Sequence, residues 1–370
     1  MTSIVKAASA EPASSSGLHT AELVSRILAD HGSGPVSSVT SPVFLGRNEA
    51  WSMTLESGER VFVKKVTERI AGPRAYENSI AFDDFAGRNP EWGGQTPRLI
   101  ATDRDQSLLV FEHCPGTSLA HLLVDENVPR NFAVRAGRML AGLHSVPVEG
   151  LVTSTPASPP VEMLMVGIPV TRYLDFTLAE NALWSDLQRD RELIAAVTDL
   201  RTLEKENQTS PVHGDLRLDQ FHVHEGNLFL LDWEEFGRGD PARDLGMLAG
   251  EWIYRAVLDT VTTRGGATAP PPSFDDDTAT SRIAERMSSR VPFVREMWTA
   301  YSDKLRAVDP GLAVRATAHL GWHLVDRSIA RAAQVAQLPG IERAAAGIGR
   351  RALINPAAFA RSLGFERTTT

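Results

Sequence analysis

Cysteine is nearly absent from this chain of 370 residues: Cys114 is the only one. An internal disulfide is therefore excluded, and the composition suits a reducing cytoplasm. No apolar run approaches the ~20 residues needed to cross a bilayer. Residues 1–17 are rich in Ala and Ser but hold no sustained apolar core, so they do not read as a signal peptide. A basic excess is missing too: 46 acidic against 38 basic residues leave a formal charge of −8. That balance argues against nucleic acid as a partner and mildly favours a cationic one. No repeat of about 20–50 residues is present.

What remains is a chain long enough for two compact units with cores of their own, 42% hydrophobic. Residues 1–19 read as disordered. From Thr20, a candidate cap, the apolar positions Leu23, Val24, Ile27 and Leu28 fall on one helical stripe, which ends near Gly32–Pro35. Strand-like runs follow at 37–45, 50–55 and 60–66, joined by Gly46-Arg47-Asn48-Glu49 and by the turn Glu56-Ser57-Gly58-Glu59. A helix is expected over 73–85, then short strands at 99–100 and 107–112. Beyond Thr117 the pattern is mostly helical, with Phe132, Ala136, Met139, Leu140 and Leu143 on one face. The irregular stretch 148–168 reads as a loop, and 265–277, with its Pro and Asp runs, as a solvated link.

The densest chemistry lies between His213 and Gly246. His213-Gly214-Asp215-Leu216-Arg217-Leu218-Asp219-Gln220 leads through an apolar run to Leu231-Asp232-Trp233, and then to Asp240-Pro241-Ala242-Arg243-Asp244. Asp215 and Asp232, 17 positions apart, each flank an apolar segment. Phosphoryl transfer needs one carboxylate to orient and deprotonate a hydroxyl, and another to hold a cation bridging the phosphates. Taken singly, Asp215 after a glycine is a turn residue and His213 a packed loop histidine. Asp244 is expected to cap a helix or to bond the loop backbone.

This region resembles the catalytic core of the aminoglycoside phosphotransferase family, small-molecule relatives of the protein kinases. The resemblance spans about residues 37–260. It implies an α+β, bilobal protein-kinase-like fold: a small N-lobe (20–112) with an antiparallel sheet and one main helix, a hinge (113–116), and a larger, mostly helical C-lobe (117–370). It implies ATP and Mg2+, with Asp215 as the base and Asp232 and Gln220 on the metal. Family members carry Asn where this chain has Gln220, which returns the same amide oxygen on an arm one methylene longer. Arg217 would face the γ-phosphate, or else pair with Asp219. Gly46 to Asn48 would form the nucleotide loop, although Gly46 is its only glycine. Val61-Phe62-Val63-Lys64 resembles the strand whose lysine grips the phosphates. Lys65 is the register alternative, and Glu77 the expected partner of Lys64. In the hinge, Phe111 would back the adenine, the Glu112 carbonyl would accept from its amino group, and the Cys114 N–H would donate to the ring.

Only about a dozen residues separate Asp232 from the Asp244 helix, and no Ala-Pro-Glu follows. An activation segment of the kind that phosphorylation orders is thus missing. The acceptor is expected to be a small-molecule hydroxyl, as in antibiotic resistance or biosynthesis. The alternatives are Ser or Thr of a ribosomally made peptide, working with a partner lyase as in lanthipeptide or thioamitide pathways, and a pseudokinase scaffold.

Overall fold

A computed structural model describes residues 15–40, 49–67, 74–92, 94–125, 127–129, 131–152, 161–261, 276–305, 307 and 309–365. Along the chain run helix α1 (Ser15–Ala29), strands β1 (Val36–Thr40), β2 (Glu49–Leu55) and β3 (Arg60–Lys65), helix α2 (Ala75–Arg88), and strands β4 (Leu99–Asp103), β5 (Leu108–Glu112) and β6 (Thr117–Ser118). Helices α3 (Leu119–Val124), α4 (Phe132–His144), α5 (Val161–Met165), α6 (Val170–Tyr173), α7 (Leu178–Arg189) and α8 (Arg191–Glu206) precede β7 (Ser210–Val212), β8 (Phe221–His224), β9 (Asn227–Leu230) and β10 (Gly237–Gly239). Helices α9 (Pro241–Asp259), α10 (Asp276–Lys304), α11 (Leu312–Ala332), α12 (Gly340–Ile354) and α13 (Pro356–Leu363) complete the order. The architecture is α+β. No described helix is long and apolar enough to cross a membrane.

The chain forms two compact units, one of Met1–Leu119 with Gln220–Phe236, the other of Ala120–Asp219 with Gly237–Thr370. The segment Gln220–Phe236 thus clusters with the first unit, whereas the sequence reading put everything after residue 116 in the helical part. Strand pairing explains this, because β8 pairs with β6 and with β9.

In the first unit, five strands form a sheet in the order β1-β2-β3-β5-β4, every neighbouring pair antiparallel. Strand alternation gives it two faces. Trp51, Met53, Leu55, Val61, Val63, Leu108 and Val110 pack under Val24 and Leu28 of α1. On the other face Leu109 and Val66, with Phe111, meet Ala75 and Tyr76 of α2. Gly58, at φ +88°, closes the β2–β3 turn in a backbone conformation that favours glycine. Helix α1 begins at Ser15, so residues 15–19 are helical and Thr20 lies inside the helix; both expectations for this stretch are corrected. Packing of its apolar stripe on the sheet supplies the stability that a short isolated helix lacks.

The second unit is helical, with β7 and β10 pairing as its only described strands. Trp184, Leu193, Val197, Leu200, Trp322 and Val325 centre one part of its core. Asp240 caps α9 by accepting from the Ala242 N–H at 3.0 Å, and Pro241 opens the helix. Helices α9 and α11 approach closely at Gly246, where a Cβ would lie 2.2 Å from the Ala316 carbonyl oxygen. The stretch expected as loop at 148–168 contains α5, and the expected link at 265–277 lies largely outside the described residues.

Candidate active site

The loop carrying Asp215 is built within the second unit. It leaves β7 through His213 and turns at Gly214, whose φ is +88°. Asp244, fully buried in the first turn of α9, accepts from the His213 N–H at 2.7 Å and from the Gly214 N–H at 2.9 Å. Of the two roles considered for Asp244, bonding the loop backbone is the one observed. Behind it His144 Nε2 lies 3.2 Å from the carboxylate, and His144 Nδ1 lies 3.0 Å from the Tyr301 hydroxyl. Burial alone would raise the Asp244 pKa. The His144 bond and the neighbouring histidines outweigh it and hold the carboxyl below its ordinary value.

Past the turn, Asp215 keeps about a third of its side chain exposed. Arg217 Nε lies 3.8 Å from Asp215 Oδ2 and 3.5 Å from Asp219 Oδ1. The pairing with Asp219 considered for Arg217 is therefore formed, beside a longer contact to Asp215. A residue the sequence reading missed supports the loop from below. Glu251 accepts from the Leu218 N–H at 3.3 Å and meets His323 Nε2 at 2.8 Å. Burial would raise its pKa, yet the His323 bond and the charges of His323, Arg327 and Arg217 lower it to about 2. The available signal was spacing: Glu251 follows Asp244 by seven positions, two turns along the same face of α9.

The carboxylate Asp232 belongs to the first unit. The β8–β9 hairpin ends at Leu230, and the Leu231 N–H donates to the Gln220 carbonyl at 3.0 Å. Asp232 then takes a left-handed backbone, φ +69°, which costs a non-glycine residue about 1 kcal/mol or more. Its neighbour Trp233 holds the turn in place. The indole stacks on Phe82 of α2 at 3.5 Å between centroids and meets Trp92 edge-on at 5.4 Å. Its Nε1–H donates to the Leu230 carbonyl and to Thr96 Oγ1, each at 3.2 Å.

Lys64 bonds Asp232 and lies 2.7 Å from Glu234 Oε2. Burial would lower the pKa of this ammonium, but Asp232 and Glu234 raise it above the ordinary lysine value. Lys65, its register alternative, forms no ion pair among the described residues. The expected Lys64–Glu77 pair is not formed. Helix α2 starts at Ala75, and its buried positions are Ala75, Tyr76, Asn78, Ser79, Phe82 and Phe85, which turns Glu77 outward to Arg104 Nη2 at 2.7 Å. Glu234, unforeseen, takes the lysine, and its spacing of two from Asp232 was the one sequence signal for it.

Gln220 is buried at the end of a single 3-10 turn, Leu218–Gln220. With Asp232 it offers a carboxylate and an amide oxygen, donors that fit a hard divalent cation. No group of three or more His, Cys, Asp or Glu suited to a metal occurs among the described residues. At the end of β5, the Glu112 side chain pairs with Arg98 at 2.7 Å. The Cys114 N–H has no partner among the described residues, and burial pushes its thiol up to about 12, far from a reactive thiolate. Gly46 and Asn48 lie outside the described residues.

The structure is similar to a protein described as a fructosamine-3-kinase from Thermobifida fusca, at 16% identity and a TM-score of 0.52, with 90% of this chain and 98% of that one covered. It is also similar to amicoumacin kinase in complex with AMP-PNP, Ca2+ and Ami, at 14% identity and a TM-score of 0.52, covering 93% and 96%. These likenesses show a shared fold. No curated protein matches the sequence. A family model described as "Phosphotransferase enzyme family" matches residues 47–273, well over half of the chain and the whole span from Lys64 to Asp244. The chain belongs to the phosphotransferase enzyme family.

Proposed function

We propose that the protein moves the γ-phosphoryl group of ATP to a hydroxyl of a small-molecule acceptor in the cytoplasm, with Mg2+ as the metal. The observation that carries this reading is the Asp215 loop, whose backbone is fixed by the buried Asp244 carboxylate while the Asp215 carboxylate itself stays accessible. A general base must be held in place yet reach its substrate. Asp215 would orient the acceptor hydroxyl and take its proton. Arg217 would offset the charge gathering on the transferred group. Lys64 would hold the α and β phosphates. Asp232 and the Gln220 amide oxygen would hold Mg2+, which would supply positive charge to offset that of the phosphates. The Glu112 carbonyl and the Cys114 N–H would read the adenine edge.

The test is a panel of acceptors, comprising amino sugars, macrolides, metabolite alcohols and Ser/Thr peptides, incubated with Mg2+ and ATP. ADP release and the mass gain of one phosphoryl group are followed. A small-molecule acceptor should be modified by the wild type, and Asp215→Asn should lower kcat about 10²–10⁴-fold with nucleotide binding retained. If only peptides gain the mass, the acceptor class is wrong. Equal rates in wild type and Asp215→Asn would remove Asp215 from the role of base.

A further inference from the structure

Lys64 is held by two carboxylates two residues apart, and neither comes from α2. Resting on the phosphotransferase reading above, we propose that Glu234 is the residue that positions Lys64 for the nucleotide phosphates, in place of a helix glutamate, so that Asp232 can be given over to the metal.

The geometry argues for this division in three ways. Asp232 and Glu234 both turn toward Lys64, while the residue between them, Trp233, turns away into the stack on Phe82. Next, α2 faces this turn with an amide instead of an acid: Asn78 Nδ2 donates to the Glu234 carbonyl at 2.9 Å. The helix thereby fixes the backbone that carries the carboxylate, while its own Glu77 is occupied by Arg104 on the outer side. Lastly, a carboxylate serving a divalent cation is a poor partner for an ammonium, because the two cations repel. A largely buried Lys64 left without a partner would be strongly disfavoured. Glu234, with a side chain only 9% exposed and 2.7 Å from Nζ, stays with the lysine when Asp232 serves another cation.

The test is a double-mutant cycle on nucleotide affinity, read by titration calorimetry with ADP in EDTA and again with Mg2+-ADP. The variants are Glu234→Gln, Lys64→Met and the pair, with Glu77→Gln as the contrasting carboxylate. Because ADP in EDTA needs Lys64 but no metal, it reports the lysine alone. Glu234→Gln should weaken ADP about tenfold in EDTA, a typical size for a coupled ionic contact. In the Lys64→Met background the same change should weaken it less than about twofold. Glu234→Asp, which returns the charge on a shorter arm, should recover part of the loss; it replaces Glu234→Gln in the cycle if that variant shows no cooperative melt. Glu77→Gln should not couple to Lys64. Additive effects of Glu234 and Lys64, or coupling at Glu77 instead, overturn the proposal. A wild type that binds neither ADP nor ATP in either medium would instead sink the proposed function.

Discussion

Replacing Asp244 by Asn keeps the shape of the side chain and removes its charge. The carboxylate takes the His213 and Gly214 N–H groups at 2.7 and 2.9 Å in a place closed to water, and His144 lies on the same oxygen as His213. An amide can accept one of these donors while its own NH2 faces another. A buried donor left without an acceptor costs about 1–3 kcal/mol, and the surviving bond loses its charge assistance. Together these give about 3–5 kcal/mol. At about 2–4 °C per kcal/mol for units of this size, the melting temperature should fall on the order of 10 °C. The linkage has a definite sign. The folded Asp244 pKa lies below its unfolded value, so its contribution is complete at neutral pH and is lost as pH falls through the folded pKa. The gap in melting temperature between wild type and Asp244→Asn should thus be widest near neutrality and close in acid, below about pH 4. Because Gly214 N–H precedes Asp215 directly, the freed loop should also lower kcat about 10²-fold, with the KM for ATP little changed. Circular-dichroism melts across pH and steady-state kinetics give both numbers. A variant melting within ~2 °C of wild type at pH 7, with normal kcat, would show that the loop is held by something other than Asp244.

Three further outcomes are expected. Asp232→Asn tolerates the left-handed backbone and should melt near wild type while losing Mg2+-dependent nucleotide affinity; Asp232→Ala should add about 1 kcal/mol of strain to that loss, and unchanged Mg2+-ATP binding by calorimetry would refute the metal role. Gln220→Ala should raise the Mg2+ concentration needed for half-maximal turnover, with Gln220→Asn restoring part of it; identical Mg2+ dependence in wild type and Ala would leave Gln220 a packing residue. Trp233→Ala removes the stack on Phe82 and should cost about 3–5 kcal/mol by denaturant titration, with Mg2+-ATP affinity falling because the Asp232 turn is released; full affinity in a folded variant would show that the turn holds itself.

Local pattern alone carried much of this protein. The alternation in β2 and β3 put Lys64 on the face opposite Val61 and Val63, the Gly58 turn set their register, and the His213–Asp219 string with Asp232 and Asp244 marked the phosphotransferase core. These are short-range signals, because strand period, turn glycines and loop motifs are written in neighbouring residues. The start of α1 at Ser15 was not readable in the same way, since its helix is stabilised by Val24 and Leu28 on a sheet formed far along the chain. Nor was the partner of Lys64. Whether Glu77 or Glu234 reaches the ammonium depends on the rotational phase of α2 and on the Trp233–Phe82 stack, which joins residues 151 positions apart. The Glu251–His323 support beneath Leu218 likewise joins α9 to α11. Sequence therefore determined that residues 47–273 carry the pattern of the phosphotransferase enzyme family. Tertiary packing decided which carboxylate each cation meets, because a buried charge takes the partner that the surrounding side chains leave within reach.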